Sequence, residues 1–202
     1  MSVAAAKRAL RRTIDERRRR VDPAFRAEVG AALARHVLAW AGLRPGRRVG
    51  LYAALPDEAP TEELMQALLR RGHPLLLPRS CGGERLEFAP VSDPARLVRG
   101  AFGALEPPPE EPAAALHPDD LVLVPGVAFD RFGARLGRGG GWYDRSLPAE
   151  VRDLYGLAFA FQVVDRVPEA PWDRRVRGIF TEHGFQLCDR GAPAREAHRD
   201  PS

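Results

Sequence analysis

Between Val122 and Arg145 the chain reads VLVPGVAFDRFGARLGRGGGWYDR, an apolar strand that gives way to a basic, glycine-dense loop and closes on Trp142, Tyr143 and Asp144. Gly133, Gly137, Gly139, Gly140 and Gly141 remove β-carbons, so the backbone can enter positive φ and aim several N–H groups at one bound anion. Arg135 and Arg138, on either side of Leu136 and Gly137, add charge. The dinucleotide fingerprint fails because Trp142 occupies its third glycine position, and the P-loop pattern fails for want of a Lys-Ser/Thr pair. If the anion is a nucleoside triphosphate, the Gly137 to Gly141 amides hold phosphates and Arg135 and Arg138 neutralise developing charge. Asp144 can then hold magnesium, which favours one or two carboxylates plus phosphate oxygens. A surface loop merely rich in turn formers would not need these arginines beside an aromatic pair and an acid.

Such a loop needs a frame. Val3 to Arg20 reads as a helix with Leu10 and Ile14 on one packed stripe. At about 100° per residue, Lys7 and Arg11 lie roughly 60° round from that stripe, at the rim of the core, while Arg8 and Arg12 lie nearly opposite and look outward. Asp22-Pro23 predicts a capped second helix to about Ala41. Arg48 to Leu55 reads as a strand, Thr61 as the cap of a helix through Arg71 with Glu62 and Glu63 in its first turn, and Pro74 to Leu77 as the next strand. Leu86 to Ala89 is a weaker strand, Glu106 to Pro112 a proline-rich loop, and Leu121 to Val124 a short buried strand. Trp142 to Ser146 opens a helix, with strands near Tyr155 to Ala160 and Gly178 to Phe180. This alternation predicts an α/β fold with a mostly parallel sheet and helices on both faces, a Rossmann-like three-layer arrangement. Ligands in such folds gather beyond the carboxyl ends of the strands, where Leu55 to Thr61 and Pro125 to Tyr143 fall. A single domain is expected over residues 1–190, followed by a frayed polar tail over 191–202.

Composition narrows the classes. Hydrophobic residues make up 45% and charged residues 29% of the 202, an ordinary soluble balance with room for one core. No stretch reads as a membrane helix, and Lys7, Arg8, Arg11 and Arg12 interrupt the N-terminal region where a secretory signal would be apolar, so a cytoplasmic location is expected. Cys81 and Cys188 stand in no metal-ligand spacing, the five histidines show none either, and His36 reads as packing or surface. The formal charge of +4 and the Arg17-Arg18-Arg19-Arg20 run raise nucleic-acid binding. That run follows Asp15 and Glu16 on the same helix without interleaved aromatics, which is the pattern of a solvated face.

PGVAFDRFGARLGRGGGWYDR resembles the signature of the 5-formyltetrahydrofolate cyclo-ligase (5,10-methenyltetrahydrofolate synthetase) family. The likeness extends to Lys7-Arg8-Ala9-Leu10-Arg11, similar to its N-terminal KxxLR pattern, and to Asp57-Glu58 before Thr61, similar to its acidic substrate segment. Gly100-Ala101-Phe102-Gly103, Glu106-Pro107, Gly156-Leu157-Ala158-Phe159, Gln162, Asp173 and Thr181-Glu182 also follow in family-like order. The resemblance implies that ATP as co-substrate meets Lys7, Arg11, Arg135, Leu136, Gly137, Arg138, Gly139, Gly140, Gly141, Trp142 and Tyr143. It implies a folate site at Leu55, Glu58, Arg138, Gly139, Gly140, Gly141 and Trp142, magnesium at Asp144 and Asp173, and catalysis by Arg138 and Asp144. The implied reaction turns 5-formyltetrahydrofolate into 5,10-methenyltetrahydrofolate, with ATP and a folate as small-molecule partners, no nucleic acid, no membrane and a monomeric chain. Pro60 departs from the pattern where many members carry a second acid, Gly140 where some carry lysine, and Trp172 where His or Asn often precedes the matching aspartate. A small-molecule kinase of related fold and a non-enzymatic RNA-associated protein are the alternative readings.

Overall fold

In the computed structural model, which describes residues 2–100 and 102–189, the chain begins with helix α1 (Val3–Arg18) and helix α2 (Pro23–Ala39). Ser2 caps α1 by accepting from Ala5 N (3.3 Å), and Asp22 caps α2 by accepting from Phe25 N (2.9 Å), with Pro23 in the first turn. Helix α2 ends before the expected Ala41 because Trp40 turns extended and packs its ring 4.8 Å from Tyr155 and 5.6 Å from Phe180. Strand β1 (Val49–Gly50), helix α3 (Glu62–Arg70) and strand β2 (Leu75–Ser80) form the expected β-α-β unit, followed by β3 (Leu86–Val91) and the short pair β4 (Val98–Arg99) and β5 (Leu105–Glu106). Glu106, expected in a loop, therefore belongs to a strand. Next come β6 (Leu121–Val124), β7 (Ala128–Asp130), β8 (Arg135–Leu136), helix α4 (Trp142–Ser146), β9 (Leu154–Leu157), β10 (Val163–Val164), β11 (Gly178–Thr181) and β12 (Gly184–Leu187). The tail expected over 191–202 lies outside the described residues.

The main sheet has seven strands in the order β12-β11-β9-β6-β1-β2-β3. Strands β11, β9, β6, β1 and β2 run parallel, and antiparallel β12 and β3 close the two edges. Alternate side chains serve opposite faces, as the pleat requires. Leu75, Leu77, Leu121, Leu123, Tyr155 and Phe180 pack with Leu33, Val37, Leu64 and Leu68 of α2 and α3. Leu76, Val122, Val124, Leu154 and Ile179 face the other way, onto Phe129, Leu147 and Val151 and the α4 residue Tyr143. The second face is thus covered by α4 together with coil and the small sheet β10-β7-β8, against which Leu10 and Ile14 of α1 dock as expected.

The chain leaves β1 to one side through α3 and β2, and returns on the other side as β6. The strand order therefore reverses between β1 and β6, and a crevice opens beyond their carboxyl ends. The strand expected through Leu55 stops early. Leu51 N still donates to Leu76 O (2.9 Å), but Thr61 Oγ then donates to Tyr52 O (2.7 Å) and accepts from Ala54 N (3.2 Å), folding the segment back on itself. Thr61 occupies the N-cap position of α3, yet its hydroxyl is spent on this fold-back and caps nothing.

Candidate active site

A cleft of about 450 Å³ lies at this switch point, between the segment after β1 and the glycine loop. One wall is held by side chains from the N-terminal helices. Arg26 of α2 donates to the carbonyls of Leu55 (3.3 Å), Pro56 (3.0 Å) and Glu58, and Tyr52 Oη donates to Ala59 O (2.9 Å). Glu58 accepts from Leu55 N at 3.0 Å, so the two residues implied for substrate binding are locked to each other. Arg18, expected on a solvated face, is only 3% exposed: its Nε donates to Asp57 O, and its guanidinium pairs with Asp57 (3.1 Å) and Asp15 (3.2 Å). Burial lowers its pKa, and Asp57 opposes that shift most strongly. Spacing along α1 could not reveal this, because the acid that holds Arg18 in the core lies in another segment.

The opposite wall is the glycine loop. Gly139 and Gly141 adopt φ of 115° and 64°, the left-handed region that favours glycine, whereas Gly137 and Gly140 do not. Gly141 caps α4 in that conformation. Arg11 donates from Nε to Gly137 O (2.8 Å), and its guanidinium carbon lies 3.6 Å from where a Gly139 β-carbon would stand. Lys7 forms an ion pair with Asp173, whose Oδ2 also accepts from Ala170 N (2.7 Å). Of the two residues chosen from α1, Arg11 reaches this loop and Lys7 reaches Asp173, while Arg8 and Arg12 are exposed.

Cations and acids of the site pair with one another. Arg135, with 3% of its side chain exposed, donates to Asp144 Oδ1 (2.8 Å), and Arg174 N donates to the same oxygen (3.1 Å). Arg138 crosses the cleft to Glu58 (3.0 Å) and to Asp57. Burial depresses the Arg138 pKa, but Glu58 and Asp57 more than reverse this, so the guanidinium is held charged above its ordinary range. Tyr143 is pushed well above the usual phenol range by burial and then by Glu58, with Arg135 opposing from 5.6 Å over the ring. It remains a neutral phenol in the neutral pH range. Trp142 meets Phe102 edge-on at 5.0 Å, and Phe102 and Glu106 join the cleft wall although sequence reasoning gave neither a role.

The site can thus hold a flat apolar ring beside Trp142 and an anion beside the glycine loop. For magnesium, the bonds to Asp144 fall on Oδ1 and those to Asp173 on Oδ2, which leaves each carboxylate a second oxygen. No group of three His, Cys, Asp or Glu side chains suited to a metal occurs among the described residues. Two carboxylates still suit a cation that arrives with its own phosphate ligands. Cys81 is exposed and Cys188 buried, with no disulfide between them, and His36 Nδ1 lies 3.1 Å from Thr181 O in a packing role. No described helix is long and apolar enough to cross a membrane.

A sequence model of the 5-formyltetrahydrofolate cyclo-ligase family matches residues 3–182, nearly every element of both walls. The chain belongs to the 5-formyltetrahydrofolate cyclo-ligase family. It is 34% identical to a 5-formyltetrahydrofolate cyclo-ligase of Mycolicibacterium smegmatis over 87% of this chain and 93% of that protein. To the Escherichia coli K12 cyclo-ligase it is 30% identical, over 83% and 96%. An Aquifex aeolicus 5,10-methenyltetrahydrofolate synthetase solved by NMR superposes with a TM-score of 0.77 at 29% identity, covering 96% of this chain and 98% of that one. The cyclo-ligase fold and an enzymatic role follow, and the resemblance seen in the glycine loop is that of the whole fold.

Proposed function

We propose that this cyclo-ligase family member uses ATP and magnesium to close 5-formyltetrahydrofolate to 5,10-methenyltetrahydrofolate, through phosphorylation of the formyl oxygen. The observation that carries the reading is the placement of the positive-φ glycine loop, Arg135, Arg138 and Asp144 on one wall of a cleft whose apolar ring site lies beside it. A formamide carbon is a poor electrophile without a leaving group. Attack by the formyl oxygen on the γ-phosphorus expels ADP and converts that oxygen into a departing phosphate. The 10-nitrogen then bonds to the activated carbon, the carbon–oxygen bond breaks, and the nitrogen's proton leaves with the phosphate.

The protein supplies no nucleophile. Its work is positioning and electrostatics, as in other phosphoryl transfers. The loop amides from Gly137 to Gly141 cradle phosphates, Lys7 and Arg11 hold the nucleotide from α1, and Arg138 neutralises charge on the transferring group. Leu55 and Glu58 face the folate, and Trp142 offers a ring face for its heterocycle. Asp144 and Asp173 hold magnesium, which when bound neutralises charge on the phosphate oxygens. Within the protein Lys7, Arg135 and Arg138 are matched to Asp173, Asp144 and Glu58. Triphosphate and magnesium together can replace both halves of these pairs, whereas either alone would leave like charges facing one another.

The test is incubation with 5-formyltetrahydrofolate, ATP and magnesium while the methenyl absorption and ADP are followed. Equal amounts of methenyl product and ADP are expected. A stable phosphorylated compound without ring closure would make the protein a small-molecule kinase. The RNA-associated alternative loses part of its motive because Arg18 is buried in the folate wall and unavailable to a phosphate backbone.

A further inference from the structure

Glu106 stands apart from the other acids of the cleft. Glu58 is tied to Arg138 and Asp144 to Arg135, but among the described residues no cation lies within ion-pair distance of Glu106. Its carboxylate accepts only neutral donors, Ser80 N (3.2 Å) and Ser80 Oγ (3.3 and 3.2 Å), at the end of β2. The backbone makes room for it: a β-carbon at Gly100 would stand 2.1 Å from the Glu106 carboxyl carbon. The nearby cleft surface is apolar, contributed by Pro78, Leu86, Phe102 and Trp142. Ser80 thus orients a partly buried carboxylate beside an apolar slot, with lone pairs still available.

We infer that Glu106 recognises the pyrimidine edge of the folate's pterin ring, accepting hydrogen bonds from its ring amide N–H and its exocyclic 2-amino group. These neighbouring donors present the paired geometry that a carboxylate accepts, and a charged acceptor gives the stronger form of such a bond. This assignment rests on the folate reading above. It gives Glu106 a part in substrate specificity distinct from that of Glu58, whose carboxylate is engaged by Arg138 and by Leu55 N. A glutamine at 106 would keep an acceptor for Ser80 but turn a donor toward a donor on the ring.

The test measures binding of 5-formyltetrahydrofolate and of its 2-desamino-2-methyl analogue to the full chain, wild type and Glu106→Gln, by calorimetry. Wild type should bind the analogue about tenfold to a hundredfold more weakly than the parent, the range for a lost hydrogen bond to a charged group. Glu106→Gln should bind the parent correspondingly weakly and lose most of the discrimination between the two. Gly100→Ala, which displaces the carboxylate without changing its chemistry, should weaken parent binding in the same direction, with circular dichroism melting as the control for folding. Unchanged parent affinity in Glu106→Gln, or discrimination that survives the substitution, overturns the assignment of Glu106 alone. Failure of the wild type to bind the parent at all overturns the folate reading beneath it.

Discussion

The two walls of the cleft are built on opposite principles. The segment from Tyr52 to Thr61 has its carbonyls bound by Arg26, Arg18, Tyr52 and Thr61, and Glu58 and Thr61 are 7% and 1% exposed. The Arg138 to Gly140 tip of the glycine loop is exposed, and it is steadied mainly through Arg11 on Gly137 O and Arg138 on Glu58. A fixed wall suits a rigid heterocycle that must be oriented. A wall of free amides suits a polyphosphate that supplies its own bonds. Damage to the first wall should therefore appear as lost folate affinity, and damage to the second as lost nucleotide use.

The largest effect that would sharpen this contrast comes from Gly139→Val or Gly141→Val. Each forces a branched residue into positive φ, with local strain of ~1–3 kcal/mol, and at Gly141 the new β-carbon would stand 2.7 Å from an Arg145 nitrogen. ATP-dependent turnover should fall about a hundredfold or more, while folate binding by calorimetry changes far less. Equal loss of both ligands would break the division between the walls.

Asp144→Asn should lower turnover about a hundredfold, comparable to removing one preorganised electrostatic partner, and a magnesium titration should not restore it. It should also lower the melting temperature, because the buried Arg135 loses its carboxylate partner and keeps Pro125 O (3.3 Å) and a neutral amide as hydrogen-bond acceptors. Unchanged turnover across the titration would remove Asp144 from the reaction. Arg18→Met tests the fixed wall. Loss of its bonds to Asp57 should destabilise the fold by about 1–3 kcal/mol and raise the KM for the folate about tenfold with the KM for ATP nearly unchanged. A shift in the ATP value alone would assign Arg18 to the wrong wall.

How far the sequence could be read follows the same division. The glycine loop was legible because glycines, arginines and an acid crowded into one short run announce themselves, and the partly buried Lys7 and Arg11 were separable from the exposed Arg8 and Arg12 because helical geometry sorts four cations into rim and outside. The central parallel strands and the β-α-β unit were legible from apolar runs and caps. Strands β7, β8 and β10 were not, since each is two or three residues long and β7 and β8 are buried on both faces, leaving no period to detect. The early end of β1 was hidden because it depends on a Thr61 hydroxyl returning to Tyr52 O. Arg18 was misread because its burial depends on Asp57, 39 residues away. The fixed wall is made of long-range contacts, and local spacing says little about those.

Smaller effects separate neighbours on α1. Lys7→Ala and Arg11→Ala should weaken ATP binding several-fold, while Arg8→Ala and Arg12→Ala, exposed side chains, should stay within about twofold. Equal affinities for all four variants would remove the geometric case for the first pair. The smallest expected effect is that of pH through Tyr143. Its folded-state pKa is raised above the ordinary 10.0, so its contribution to stability is fully present below that value and is lost only as pH rises past it. Tyr143→Phe should therefore leave the neutral-range pH profile of turnover unchanged in shape. A limb that disappears in the variant would show the phenol exchanging protons during the reaction.

The central claim is that the glycine wall delivers phosphate to the formyl oxygen held against the fixed wall. The direct measurement uses 5-formyltetrahydrofolate carrying a heavy oxygen isotope in the formyl group, with magnesium and unlabelled ATP, and follows the label by mass spectrometry. The account predicts that the label appears in the released inorganic phosphate, one labelled phosphate for each methenyl product formed. Label found in water, with unlabelled phosphate released, would contradict it.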